Sequence, residues 1–366
     1  MRISVQKENL LRGIQVVQNA VSNRASLPIL ANILIEANDN EVSLTATDLD
    51  IAITCNIPAN IKETGEITIP AKKFGDIIKE LKSDEEISIS IEKGNNILIE
   101  SKNIYFKLPG LPKDDFPQIP LFNVDKNTIT LSQPLLASMI RKTAFAMSRD
   151  EARYVLNGTL FSFNNKKLRL VATDGRRLAK IDKELDKPVL TPKDIVIPTK
   201  TVLEIARNLG EDGEVQILFK DSQLQFKIGA TIITSRLIDG EFPNYEQVIP
   251  QKTKEKLVLN TREFLAATKR ASLFTNQDSQ SIRINLNKDR MIIAKNTPDV
   301  GEAHEEIKTE YKGPEFEIGF NPTFLIDALK NIDDENVRFE LIDPEKPGVI
   351  KTDDDYTYII LPMQLT

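Results

Sequence analysis

Residues 44–53 read LTATDLDIAI and residues 170–179 read LVATDGRRLA, one phrase written twice. Taken alone, a phrase with Thr, Asp and Arg suits a catalytic or phosphate-binding loop; its neighbourhood says otherwise. The first copy is followed by ITIPAKKFGDIIKEL (67–81) and the second by IVIPTKTVLEIARNL (195–209), and IGFNPTFLIDALKNI, of the same design, occupies 318–332. Each is a short β-type run broken by Pro and continued by apolar residues at helical spacing: Phe74, Ile77, Ile78 and Leu81; Val202, Ile205, Ala206 and Leu209; Leu325, Ala328, Leu329 and Ile332.

Each unit also opens on an amphipathic helix, in NLLRGIQVVQNAVS (9–22), PLLASMIRKTAFAMS (134–148) and REFLAATKRASLFTN (262–276). Asn260 with Glu263 predicts a capping box for the last of these. Alternating runs such as EISISIE and NILIES, joined by Lys93, Gly94, Asn95 and Asn96, read as hairpin strands. The doubled phrase is then a strand, a turn at Thr-Asp and a strand. Its third counterpart, IAKNTPDVGEAHEEI, has lost the Asp from that position, which a fold element tolerates better than a catalytic motif does. The expected fold is α+β: three tandem helix/antiparallel-sheet domains over 1–125, 126–252 and 253–366, divided where DDFPQIPLFNVDKN and EFPNYEQVIPQK interrupt the pattern.

A length of 366 residues exceeds what one core fills, and 40% hydrophobic with 28% charged residues is the balance of a soluble globular protein. No apolar run approaches the roughly 20 residues of a membrane span. The start, MRISVQKENLL, lacks the order of a signal peptide, so a cytoplasmic protein with no membrane partner is expected. A lone Cys55 and a lone His304 argue against a disulfide, a zinc site or a nucleophilic triad. Neither a P-loop, a GxGxxG nor an HExxH motif is present, so no catalytic residue, metal or cofactor is expected. Asp114 with Asp115, and Asp353 to Asp355, could serve as acid/base groups or magnesium ligands, but such runs in turns are more often solvated.

A formal charge of −6 argues against simple binding to nucleic acid. The charge is segregated, however. The expected helical segments 6–25, 71–82, 133–154, 199–209, 261–275 and 321–332 hold 17 Lys or Arg against 8 Asp or Glu, so they carry +9 and the remainder −15. Lys7, Arg12, Lys72, Lys73, Arg141, Lys142, Arg207 and Arg270 contribute. Because Glu forms helices as well as Lys does and is scarce there, a basic helical face presented to an anion is the reading.

The opening LLRGIQ…RASLPIL, the phrase LTATDLD, IPAKKF, the stretch RYVLNGTLF…LVATDGRRLA, DGEFPNYEQVIP and the ending YIILPMQL occur in an order that resembles the beta subunits of bacterial DNA polymerase III, the sliding clamps, over essentially the whole chain. The resemblance implies two chains head to tail in a six-domain ring, helices inside and sheets outside. Twelve helices side by side at about 9 Å make a circle about 35 Å across, and their own thickness leaves a hole of roughly 25 Å, enough for duplex DNA. Six helices leave only about 7 Å, so a homodimer is needed.

It further implies a partner-peptide groove formed by Leu156, Thr173, Gly175, Arg177, Leu178, Pro243, Val248, Ile359, Ile360, Leu361, Pro362 and Met363. Gly175 would let a peptide backbone approach, and Met363 is adaptable. Gln247 and Gln364 stand where some relatives carry Arg, and Thr366 extends the terminus, so the rim differs. For DNA the implied residues are Arg24, Arg149, Arg153, Tyr154 and Lys200, touching phosphates and not bases. At the subunit contact, Phe106 and Leu108 on an edge strand would meet Leu273 and Phe274 of the neighbour. The implied partners are double-stranded DNA encircled without sequence preference, the polymerase III catalytic subunit, a clamp loader, and other DNA polymerases, mismatch-repair and ligase proteins. Two other readings compete: an enzyme acting on phosphorylated substrates with the TDGRR loop as anion site, and a β-rich scaffold for proteins alone.

Overall fold

Among the described residues the chain forms six α-helices: α1 (Lys7–Val17), α2 (Ala71–Glu80), α3 (Gln133–Thr143), α4 (Thr199–Asn208), α5 (Thr261–Ser272) and α6 (Pro322–Leu329). The computed structural model describes residues 1–22, 27–38, 41–82, 85–150, 152–353 and 355–365. The stripes expected from sequence are the buried ones: Phe74 and Ile78, Val202 and Ile205, and Leu325 and Ala328 are all without exposure. Caps fix the helix starts. Asn260 Oδ1 accepts from Glu263 N at 3.1 Å, and Asn321 Oδ1 accepts from Thr323 N at 2.9 Å with Pro322 in the first turn.

Two of the expected helices are shorter than the sequence suggests. α3 stops at Thr143, where the backbone leaves helical angles (φ −124°) and the hydroxyl donates back to Met139 O at 2.9 Å. One 3-10 turn (Ala144–Ala146) follows, and Arg149 and Arg153 stand outside any α-helix. α1 likewise gives way to a 3-10 turn at Gln18–Ala20.

By its contacts the chain divides into two units, Met1–Leu136 with Leu203–Leu237, and Ala137–Val202 with Ile238–Thr366. The first unit holds a five-stranded sheet ending on Ile104–Pro109. It also holds an eight-stranded sheet in the order Ile129–Ser132, Glu214–Lys220, Gln223–Ile228, Thr231–Arg236, Ile51–Pro58, Glu41–Thr47, Asn32–Asn38, Gly65–Pro70. The second unit repeats the plan. Its eight-stranded sheet runs Lys193–Pro198, Gly158–Asn164, Lys167–Thr173, Arg177–Glu184, Tyr356–Ile360, Gly348–Lys351, Asn336–Leu341, Glu255–Asn260, and its four-stranded sheet ends on Gly301–Lys308. Each eight-stranded sheet is closed at its middle by one antiparallel pair, Ile51–Pro58 with Thr231–Arg236 and Arg177–Glu184 with Tyr356–Ile360. Among the described residues no helix is long and apolar enough to cross a membrane.

Candidate functional site

The second Thr-Asp turn organises the site. Thr173 Oγ1 donates to Arg177 O at 2.6 Å and accepts from Gly175 N at 3.1 Å, while Asp174 Oδ1 accepts from the amides of Arg176 (2.9 Å) and Arg177 (3.0 Å). Gly175 takes φ +85°, a region that favours glycine. The turn thereby sets Leu178 opposite Ile359 and Arg177 opposite Ile360, and Leu361 N donates to Arg176 O at 2.9 Å. Two amides of the loop are thus bonded to its own carboxylate, which argues against the phosphate-loop reading. Asp114 and Asp115 are exposed, and Asp353 is paired with Arg338. Asp354 lies outside the described residues.

Arg177 ties this turn down instead of lining a surface. Its Nε donates to Asp174 Oδ2 (3.0 Å), Nη1 to Asp327 Oδ2 (2.8 Å) and Nη2 to Phe145 O (2.8 Å), and the guanidinium lies 4.5 Å from the Phe324 ring centroid. Burial works against the charge of Arg177, yet Asp327 and the groups around it raise its pKa. Burial alone would raise the Asp327 pKa; the hydrogen bonds from Arg177 and Lys330 outweigh it and hold the carboxyl below its usual range.

Above the turn lies an apolar cluster of Leu160, Val171, Leu178, Val196, Ile238 and Ile359, with Val155, Phe242, Tyr245 and Ile249 half-buried against it. Of the residues expected in the groove, Thr173, Leu178, Ile359 and Ile360 are buried and form or support this floor. Val248 (48% exposed), Leu361 (40%) and Met363 (37%) are open to solvent, as are Pro243 and Gly175, and Leu156 and Pro362 are half-buried. Met363 is held at the backbone, where its N donates to Gly319 O at 2.9 Å. Val155, Phe242, Tyr245 and Ile249 escaped the sequence reading, although the last three sit in the quoted DGEFPNYEQVIP, whose aromatic spacing was the available signal. Gln247 and Gln364 are exposed, and Thr366 lies outside the described residues.

The expected DNA residues fall in less regular surroundings. Arg24 lies outside the described residues. Arg149, Arg153, Tyr154 and Lys200 are exposed, but Arg153 Nη1 donates to Asp174 O at 2.6 Å, which sets it beside the second Thr-Asp turn. The basic helical face needs correction. Lys7 is buried and caps the end of α2, its Nζ donating to Lys79 O at 3.0 Å and to Leu81 O. Lys142 is buried 3.8 Å from Asp334, and Arg141, Arg207 and Arg270 are paired with Asp333, Glu204 and Glu305. A count of charges cannot tell a capping or paired cation from a solvated one. Arg12, Lys72, Lys73, Lys79, Lys82 and Lys269 are exposed.

Phe106 and Leu108 are half-buried on the terminal strand of the five-stranded sheet. In the other unit Leu273 is 74% exposed after α5, and the Phe274 ring adjoins Gly301 at the start of the terminal strand Gly301–Lys308.

Comparison with known proteins gives one answer. Family models described as the N-terminal, central and C-terminal domains of the DNA polymerase III beta subunit match residues 1–120, 130–244 and 246–364. The beta sliding clamp of Pseudomonas aeruginosa is 37% identical over 370 residues, covering all of both chains, and that of Chlamydia muridarum is 34% identical over 365 residues, covering all of this chain and 99% of the other. Among solved structures, the DNA polymerase sliding clamp of Bacillus subtilis has a TM-score of 0.96 at 32% identity, and a Pseudomonas aeruginosa sliding clamp bound to griselimycin has 0.94 at 36%, each over the full length of both chains. With the repeated turn, the two eight-stranded sheets and full-length identity of this order, the chain belongs to the bacterial beta sliding clamp family.

Proposed function

We propose that two copies of this chain close head to tail into a ring of six domains (1–125, 126–252 and 253–366 in each), which encircles duplex DNA and tethers DNA polymerase III to it. The observation that carries the reading is the pattern of sheet junctions. Twice within the chain, the strand after a Thr-Asp turn pairs with the last strand of a following repeat. The strands in the corresponding places, Gly301–Lys308 and Ile104–Pro109, are both terminal in their sheets. An open strand edge is satisfied by another chain, and one junction of the same kind between two copies, made twice, closes the ring. Phe106, Leu108, Leu273 and Phe274 lie at these edges and form the subunit contact.

The exposed cations on α1, α2 and α5, with Arg24, Arg149, Arg153, Tyr154 and Lys200, meet phosphates without reading bases. Such binding has a Kd of order 0.1 mM to 1 μM at physiological salt, too weak to hold a polymerase, so retention is topological and no chemistry is required of the clamp itself. The groove over Leu178 and Ile359 takes short peptides of the polymerase III catalytic subunit, the clamp loader, other DNA polymerases, and mismatch-repair and ligase proteins in the bacterial cytoplasm. A peptide burying roughly 400 Å² of apolar surface gains about 10 kcal/mol before ordering costs, which leaves micromolar affinity suited to exchange.

The test is retention. Loaded onto nicked circular plasmid, the protein should remain bound, and cutting the plasmid should release it; persistence on linear DNA would reject encirclement. The species in solution should have twice the chain mass of 41.2 kDa. Met363→Ala should weaken binding of a polymerase-tail peptide and leave DNA retention intact.

A further inference from the structure

We propose that Arg169, on the strand Lys167–Thr173, is a positioning residue for the peptide groove, acting through Tyr245; the proposal rests on the groove reading above. Arg169 stands directly across from Asp182 in the antiparallel pair and grips it with two hydrogen bonds, Nε to Oδ1 at 2.6 Å and Nη2 to Oδ2 at 2.9 Å. Asp182 is 10% exposed and is approached by Lys167 (3.2 Å) and Lys180 (3.3 Å) as well, so the guanidinium is held in one orientation by a partner that is itself fixed. The remaining nitrogen, Nη1, reaches off the sheet and donates to Tyr245 Oη at 2.9 Å and to Glu246 Oε1 at 2.9 Å.

Those two acceptors begin the 3-10 turn Tyr245–Val248, whose last residue is the exposed wall of the groove. A single 3-10 turn has little stability of its own, and the bond that closes it, Ile249 N to Glu246 O, is long at 3.3 Å. The Tyr245 ring packs on the apolar floor and edge-on to Phe242, with centroids 6.2 Å apart. Arg169 thus joins the 3-10 turn on one side of the groove to the eight-stranded sheet beneath it. The first eight-stranded sheet has Ser43 across from Asn56 in the corresponding places, bonded to each other at 2.8 Å, and neither is long enough to reach a covering segment as Arg169 does. A wall already in place spares an incoming peptide the cost of ordering it.

Anisotropy titration of the full-length protein with a fluorescein-labelled polymerase-tail peptide tests this. Arg169→Ala should bind about tenfold more weakly for loss of preorganisation. Tyr245→Phe, which removes one hydroxyl and nothing else, should bind about threefold more weakly. In both variants the Ile249 amide should exchange faster with deuterium while the strand Lys167–Thr173 stays protected and retention on circular DNA is unchanged. Full peptide affinity in Arg169→Ala and Tyr245→Phe, beside a Met363→Ala that has lost it, overturns the positioning role alone. Full affinity in all three overturns the groove and this role with it.

Discussion

At Thr47 the hydroxyl donates to Ile51 O at 2.9 Å and accepts from Leu49 N at 3.0 Å; at Thr173 it donates to Arg177 O at 2.6 Å and accepts from Gly175 N at 3.1 Å. Asp48 and Asp174 each accept from the amides two and three residues further on, and the third turn residue has φ +81° in one copy and +85° in the other. Beyond the turn, Ala52 faces Thr234 in the first sheet where Leu178 faces Ile359 in the second. Continuing across the floor, Thr45 corresponds to Val171 and Thr68 to Val196. The hydroxyls of the first floor are satisfied within the protein: Thr45 and Thr54 lie 3.0 Å apart, Gln225 Nε2 donates to Thr234 Oγ1 at 2.9 Å, and Asn32 Nδ2 donates to Thr68 Oγ1 at 2.9 Å. One backbone design therefore carries two surfaces. The polar floor lines a cavity of about 490 Å³ beside Phe116 to Leu121, and the apolar floor is the candidate peptide groove.

The comparison can be broken at the arginine first. Arg177→Ala should cost about 3–5 kcal/mol in urea unfolding, because Asp174 and Asp327 lose their shared partner in a largely buried place; a loss under about 1 kcal/mol would make the tie incidental. The floors come next. Ile359→Thr should cost about 2–3 kcal/mol and weaken peptide binding, while Thr234→Ile should also destabilise, by about 1–3 kcal/mol, since it leaves the buried Gln225 amide only the long bond to Pro120 O at 3.5 Å. Stabilisation by Thr234→Ile would show that the first floor is polar by accident.

Smaller effects belong to the turn residue. Gly175→Ala should lower stability by about 1–2 kcal/mol, since a side chain there takes a left-handed backbone and meets the Arg153 guanidinium. Leu49→Asn should raise it by about 0.5–1 kcal/mol, as Asn tolerates the conformation that Leu49 is forced to adopt. The smallest is a pH effect. The folded pKa of Asp327 lies below its unfolded value of about 3.9, so its contribution is complete above that pH and is lost as pH falls through the folded value. Asp327→Asn should flatten stability against pH below about 4 and leave the slope near neutrality unchanged.

Much of the architecture was legible because it is local. The stripes Phe74/Ile78, Val202/Ile205 and Leu325/Ala328 obey helical spacing and are buried, and Asn260 caps α5 as its position before Glu263 suggests. The candidate site was legible only in part. Leu178 and Ile359, expected in the groove, are buried in its candidate floor, and Tyr245 was passed over because its hydrogen bond comes from Arg169, far away in the chain. The basic face was overdrawn for the same reason, as Lys7 serves a helix end 72 residues away, at Lys79.

What the sequence by itself determined is the repeated unit: periodicity, turn chemistry and caps act over a few residues and survive any arrangement of the rest. Only the tertiary structure decided that the sheets run on past residues 125 and 252, because hydrogen bonds between strands far apart in the chain carry no local pattern. It also decided which of two equal turns carries an apolar floor, since that depends on Thr234 or Ile359 arriving from a distant strand.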